Sequence, residues 1–515
     1  MTRAAPAAVD FPPLLPRLRA LLAARLGLHF DDRQDDRLTA ALARVAGPVG
    51  PERFLDQMEL APTRARLDAL AVELTVGETF FFRHAEQFDA LRFDLLPSMV
   101  RGMSESAHGA SGSVGGQPGR PSGGQSGGQA GGQVGGQVGG PGRRLRALSA
   151  GCASGEEAYT LAITLHRAGL QAQGIDWDVL AVDLNPAALA RAAAACYGEW
   201  SLRATPQEQR DLWFHRVDPG MWTPLPAIRE RVRFAQRHLG LPDAMFWAPG
   251  SFDIIFCRNV LIYFEPRALH QAIRNLTGAL APGGALFLGH AETLRGKDVA
   301  QEAGLVLRQA HGCFFYRRET PGNAGAWPLA WSATTAPAQR PVAGTADGPA
   351  PLAPLAGSER ASDAAGAQTL SGVPGRDDAA DQALLDEALQ LIESGQVEDG
   401  LRACARLVSP GTPAALQAEG LYLHGLAMEE RGQLPAAEWH HQRAAAKDAS
   451  FALPHLRLGL LARRRGEVVA ARRELARALE LLADESTGRL RRFGGGFDRD
   501  DLRRLCRDEM QETRA

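Results

Sequence analysis

The residues with the most chemical potential lie in one stretch, LSAGCASGEEAYTLA, Leu148 to Ala162. An apolar run enters, small residues turn, and a helical pattern leaves, as in a nucleotide-binding turn. The stretch nevertheless lacks G-x-G-x-x-G. It places two adjacent carboxylates, Glu156 and Glu157, where a phosphate would need positive charge or bare N–H groups. Two further apolar runs end in polar groups. VLAVDLN ends in Asp183, whose carboxylate can accept both ribose hydroxyls, and FCRNV spans Phe256 to Val260. In an open α/β sheet, ligands sit beyond the carboxyl ends of the strands. The three ends together describe a nucleoside held at its hydroxyls and base with no phosphate to cradle, beside acid suited to a cation. S-adenosylmethionine has that chemistry: a ribose, an ammonium and a sulfonium. A second reading of Glu156 and Glu157 stays open, as acids favoured in the first turn of a helix.

Such a site needs a sheet to position it. RRLRALSA, DWDVLAVDL, FDIIFCRNVLIYF and GGALFLGH read as strands, alternating with helices around Leu161, Leu189 and Ile273. That alternation predicts an α/β domain over residues 143–318, a doubly wound parallel sheet covered on both faces. Ahead of it, LLPRLRALLAARLGL and RLTAALARVA carry apolar residues at helical spacing, predicting a small all-α domain over 10–85. Two low-complexity tracts punctuate the chain: a Gly/Gln-rich insertion over 105–142 and an Ala/Pro/Gly/Ser-rich linker over 320–382. Neither composition buries enough apolar surface to offset its ordering entropy, so both are expected to be disordered.

Beyond the linker the chain repeats itself with a 34-residue step. Gly425 recurs as Gly459, Gly432 as Gly466, Ala436 as Ala470 and Ala444 as Ala478. This period, with small residues at helix contacts, predicts an α-helical tetratricopeptide array over 383–485. ALQLIESGQVEDGLRACARLV is a weaker preceding unit, and the helix DRDDLRRLCRDEM within 486–515 is expected to cap the array.

Composition narrows the function classes. A chain of 515 residues holds several domains, and its net charge of −2 makes no electrostatic case for nucleic acid. The six cysteines form no CxxC pair, which argues against zinc and against a disulfide framework. His440 and His441 are adjacent on a helix and point to different sides, so no metal site is expected there, and His290 reads as structural. No window reaches 18 uncharged apolar residues, so a cytoplasmic chain without direct membrane insertion is expected.

Several blocks in order now resemble a known family, the CheR-type chemoreceptor methyltransferases. They are ELTVGETFFFRHAEQF (Glu73 to Phe88), SAGCASGEEAYTLA, AVDLNPAALARAAAACY, VRFAQRHL, FDIIFCRNVLIYF and GGALFLGHAETL. The resemblance spans about Phe11 to Arg318. It implies a Rossmann-like fold and methyl transfer from S-adenosylmethionine to receptor glutamate carboxylates, with S-adenosylhomocysteine as product and no metal. It implies Arg83 and Tyr263 at the reacting centre, and Gly77, Thr79, Arg83, Glu157, Asp183, His238, Leu239, Cys257, Arg258 and Asn259 around the donor. Gly77 and His238 both stand where many members carry Asn.

The implied partner is the cytoplasmic helical domain of a chemoreceptor. The N-terminal helices, with Arg17, Arg19 and Arg25, are candidates to face it, a solvated helix face being the alternative. Tyr197 to Pro224 sits where the family inserts a small β-subdomain. The repeats would add a groove for a protein or peptide and bring the enzyme to receptor arrays at the membrane. A different class of function stays open beside this one: a scaffold that binds donor or product and catalyses little.

Overall fold

The computed structural model describes residues 11–102, 144–289, 292–294, 302–319, 378–393, 396–409, 412–495 and 497–512. The Gly/Gln tract, nearly all of the Ala/Pro-rich linker and His290 lie outside the described residues.

Four helices, Leu15–Leu26, Asp35–Ala46, Pro51–Leu60 and Arg64–Leu74, form the N-terminal bundle around Leu18, Leu22, Leu38, Leu42 and Phe54. Their arginines are largely spent within the bundle: Arg17 pairs with Glu59 at 2.7 Å, and Arg19 pairs with Asp32 and Asp35. Gly27 ends the first helix in the left-handed region, where a Cβ would lie 2.6 Å from Ala268. The chain then pairs with the segment before the helix Pro266–Ala279. His29 N–H donates to the Tyr263 carbonyl at 2.8 Å, and Glu265 N–H donates to Gly27 at 2.9 Å. The bundle therefore holds the backbone that presents Tyr263.

The central sheet has seven strands: β1 Arg144–Ala150, β2 Asp176–Asp183, β6 Val232–Gln236, β7 Phe252–Cys257, β8 Leu280–Leu288, β9 Leu305–Ala310 and β10 Cys313–Arg318. Their order is β6-β2-β1-β7-β8-β10-β9. The first five run parallel, whereas β10 is antiparallel to both β8 and β9. The sheet is thus mixed rather than wholly parallel. β1 lies between β2 and β7, and the strand order reverses there, which is where an open sheet leaves a crevice. Phe88, Phe256, Phe287 and Phe315 stack through the core with centroids 4.4–5.2 Å apart. A separate antiparallel sheet, β3 Tyr197–Gly198, β5 Met221–Pro224 and β4 Phe214–Asp218, fills the insertion.

The run FDIIFCRNVLIYF is not one strand. β7 stops at Cys257, Asn259 has φ +57°, and Leu261–Tyr263 is a 3-10 turn. The physical reason is Glu292, whose buried carboxylate accepts N–H bonds from Asn259, Val260, Leu261 and Gly289 at 2.7–2.8 Å. Those donors are lost to any continuing ladder.

The C-terminal region is built of helical hairpins. Ala414–Glu430 packs on Leu434–Lys447, and Ala452–Arg464 packs on Val468–Leu481, after the pair Asp378–Glu393 and Val397–Ala405. The 34-residue step has a packing cause. A Cβ on Gly425 would lie 2.3 Å from His441, and one on Gly459 would lie 2.6 Å from Leu475, the same two helix positions one repeat apart. Two helices follow rather than one, Thr487–Phe493 and Arg499–Glu512, the latter packed on Val468–Leu481.

Candidate active site

The loop after β1 is built on two glycines. Gly151 has φ +82° and a Cβ there would meet Val260 at 2.3 Å; Gly155 has φ +96° and a Cβ would lie 2.9 Å from Ala192. Only glycine combines that backbone with that approach. Gly151 and Cys152 both donate N–H bonds to the Val182 carbonyl, at 2.7 and 3.0 Å, tying the loop to the end of β2. Asp183 fastens the same junction, accepting from Ala153 N–H at 2.9 Å and Asn185 N–H at 2.8 Å. Burial raises its pKa, partly offset by those N–H bonds.

Around this junction opens a cavity that reaches from the N-terminal bundle to the Tyr263 segment. Thr79, Arg83, Glu157, Asp183, His238, Leu239, Arg258, Asn259 and Tyr263 all line it. Residues spread from 79 to 263 in the chain are brought together because three strand ends and the Thr75–His84 segment converge there.

Two expected members do not line it. Gly77 sits in an extended segment between Val76 and Glu78, which do face the cavity. A Cβ on Gly77 would instead approach the Arg191 guanidinium at 3.7 Å. Cys257 is fully buried in the core above β7, among Leu148, Ile255 and Leu286, and burial pushes its thiol pKa well up. It is the last residue of a strand enclosed on both faces, so its side chain packs while the turn beyond it reaches the site.

The two adjacent carboxylates separate. Glu156 faces the inserted subdomain, accepting from Ser154 Oγ at 2.7 Å and Ser201 Oγ at 2.9 Å, with its pKa raised by burial. Glu157 faces the cavity but is already paired, accepting from Ser149 Oγ at 2.7 Å and Arg258 Nε at 2.7 Å. Arg258 also donates to the Arg83 carbonyl at 2.7 Å and to Gln87 at 3.0 Å. Arg258 therefore offsets the charge of Glu157, and any cation there meets a carboxylate that shares its charge with Arg258.

The donor set fits a nucleoside with a charged tail. Asp183 presents a carboxylate bound so far only by backbone N–H groups. His238 accepts from Gly240 N–H at 3.0 Å through Nδ1, and the Leu26 backbone interacts with the same imidazole. Burial lowers its pKa, so the imidazole is neutral at pH 7. Among the described residues no group of three or more His, Cys, Asp or Glu is placed to hold a metal ion.

Comparison with known proteins agrees with this chemistry. Residues 137–305 match the CheR methyltransferase, SAM-binding domain. A chemotaxis protein methyltransferase from Listeria innocua is 40% identical over 230 residues, covering 44% of this chain and 70% of that one. Chemotaxis protein methyltransferase 1 of Pseudomonas aeruginosa is 32% identical, covering 43% and 68%. The chain belongs to the CheR methyltransferase family. A probable biofilm formation methyltransferase, WspC, of Pseudomonas aeruginosa matches over both domains and the helical region, at 28% identity, 90% of this chain and 97% of that one. As a CheR protein the chain is an S-adenosylmethionine-dependent methyltransferase.

Some residues of this CheR site were not singled out in the sequence. Phe30, Gln34 and Arg37 of the N-terminal bundle line the cavity. Arg37 donates to the Leu74 carbonyl at 2.8 Å, and burial lowers its pKa against the opposing influence of Tyr263 beside it. Cys152 lines the cavity in place of Cys257. Glu292, buried and raised in pKa by desolvation against four backbone N–H bonds, shapes the Asn259 turn. Only the position of Glu292 soon after a strand end signalled it.

Of the six non-glycine residues with positive φ among the described residues, Ala153 and Asn259 line the cavity, and Phe82 and His84 stand on either side of Arg83, which also lines it. Each such residue costs on the order of 1–3 kcal/mol and persists where its surroundings over-determine it.

Proposed function

We propose that this enzyme transfers the methyl group of S-adenosylmethionine to glutamate carboxylates on the cytoplasmic helical domain of a chemoreceptor, giving glutamyl methyl esters. The observation that carries the reading is the placement of Arg83 and Tyr263 on the wall of the donor cavity. A glutamate carboxylate has a reference pKa of about 4.3 and is ionised near pH 7, so no general base is needed. The bound donor supplies an electrophilic methyl on a good leaving sulfur. Asp183, His238 and Leu239 would hold its nucleoside end and Glu157 its ammonium, while Arg83 and Tyr263 orient one acceptor oxygen in line. The relatives named as chemotaxis methyltransferases support the signalling setting. No helix among the described residues is long and apolar enough to cross a membrane, and the helical array would bring the enzyme to receptors as a partner-binding module.

One observation favours the second reading, a donor-binding scaffold that turns over little: Arg83 is already engaged by Glu430. The experiment that tests both uses receptor-bearing membranes and methyl-labelled donor. Label released by mild base from a receptor-sized band, lost in Arg83→Ala with donor binding intact by calorimetry, is the expected result. Donor binding without label transfer by the wild-type chain would favour the scaffold.

A further inference from the structure

The C-terminal array meets the methyltransferase domain beside the donor cavity, and what it delivers there is a carboxylate. Glu430 is the last residue of the helix Ala414–Glu430. One of its oxygens accepts from Arg83 Nε at 2.9 Å and from Nη2 as well, and the other lies 3.2 Å from His84 Nε2. The two side chains of the pair are 9% and 13% exposed, although 347 residues separate them in sequence. Phe82 and His84, on either side of Arg83, have φ of +60° and +56°, so a strained backbone aims this guanidinium. The helix does not call for an acid at this place, because the macrodipole disfavours negative charge at a C-terminus. The reason for Glu430 therefore lies in its partner. Arg464–Glu86 at 2.7 Å and a Phe314–Phe497 stack at 3.8 Å hold the array in the same docked position.

We propose that Glu430 occupies the subsite for the acceptor carboxylate, making the docked array an intramolecular competitor of substrate. This rests on the reading of Arg83 as the acceptor-holding arginine. The chemistry of the occupant is that of the acceptor itself, a glutamate side chain. The Nε/Nη2 edge of one guanidinium grips one carboxylate at a time, so acceptor and Glu430 exclude each other. A tethered competitor also acts at an effective concentration that does not depend on how much receptor is present. A receptor glutamate enters only when the array swings away, so whatever draws the array off the domain raises activity.

The test uses the full chain, receptor-bearing membranes at varied concentration and methyl-labelled donor. Glu430→Gln keeps the shape and removes the charge. Phe497→Ala loosens the docked array away from Arg83, and thermal unfolding confirms that both variants are folded. Both are expected to lower the receptor KM about tenfold or more, with kcat and calorimetric donor affinity unchanged. Label transfer with an unchanged or raised KM in Glu430→Gln would mean that Glu430 positions Arg83 or is inert, overturning the competitor while leaving glutamate methylation standing. No receptor label from any of the three proteins would sink the methylation reading and the competitor with it.

Discussion

Two pairs of adjacent glutamates, one in the sheet domain and one in the array, show how differently the two regions use the same residue. Glu156 and Glu157 open the helix Glu156–Arg167, where the macrodipole favours acid; Glu429 and Glu430 close the helix Ala414–Glu430, where it opposes acid. Neighbouring helix positions are rotated by about 100°, so each pair splits between two environments. In the sheet domain Glu157 meets Arg258 at the donor cavity while Glu156 meets only hydroxyls. In the array Glu429 is sunk inside, bound by Arg457 Nε at 2.9 Å and His441 Nε2 at 2.9 Å, and Glu430 reaches out to Arg83. At the helix start Glu156 is held with hydroxyl partners alone. At the helix end Glu429 and Glu430 each sit on an arginine brought by the tertiary structure, which offsets the dipole.

The largest effect on this comparison should come from Glu429→Gln. Removing one member of a buried pair leaves Arg457 uncompensated, at a cost of about 3 kcal/mol. Chemical unfolding followed in the array checks it. Burial alone would raise the Glu429 pKa, but the Arg457 charge and the bonds from His441 and Arg457 hold it below the ordinary 4.5. The folded chain thus binds this proton more weakly than the unfolded chain. The stabilisation is complete above about pH 4.5 and is lost as pH falls through the lower folded value, and Glu429→Gln should abolish that part of the acid dependence.

A smaller effect is expected at Asp183, where the shift has the opposite sign. The ionised carboxylate is the form that accepts two ribose hydroxyls, and burial raises its pKa. Donor affinity by calorimetry should be full at pH 8 and weaken on acidification earlier than an ordinary carboxylate would cause. Asp183→Asn should weaken binding about tenfold, close to 1.4 kcal/mol, and flatten this pH dependence. An unchanged affinity in the variant would remove Asp183 from the donor site.

The smallest effect belongs to Glu156→Gln. Its partners are the hydroxyls of Ser154 and Ser201, which an amide oxygen can also accept from, and its charge is already disfavoured by burial. Unfolding free energy should change by less than about 1 kcal/mol. A loss as large as that at Glu429 would erase the contrast between the two pairs.

Much of this was legible in the chain. Strands β1, β2, β7 and β8 announced themselves as apolar runs, and Asp183 as a carboxylate ending one of them. The antiparallel β9 and β10 did not, because LVLRQA and CFFYRR are short apolar runs that end in polar residues, a pattern that periodicity alone does not assign to a strand. Gly77 and Cys257 show the limit of motif transfer. Both lie inside blocks that reach the cavity, yet side-chain direction alternates along extended backbone, so a block can contribute while one of its residues points away. Arg37 was invisible because its place on the cavity wall depends on how the bundle sits against the Tyr263 segment.

By itself the sequence determined what is local or periodic: strand ends with their polar residues, glycine-built turns, and a 34-residue step set by Gly425 against His441 and Gly459 against Leu475. Only the tertiary structure decided which partner each of these glutamates meets. Those partners stand 101 residues apart for Glu157 and Arg258 and 347 apart for Arg83 and Glu430. Pairing at such separations follows from how layers pack, because hydrogen bonds and screened charges act over a few ångströms, not along the chain.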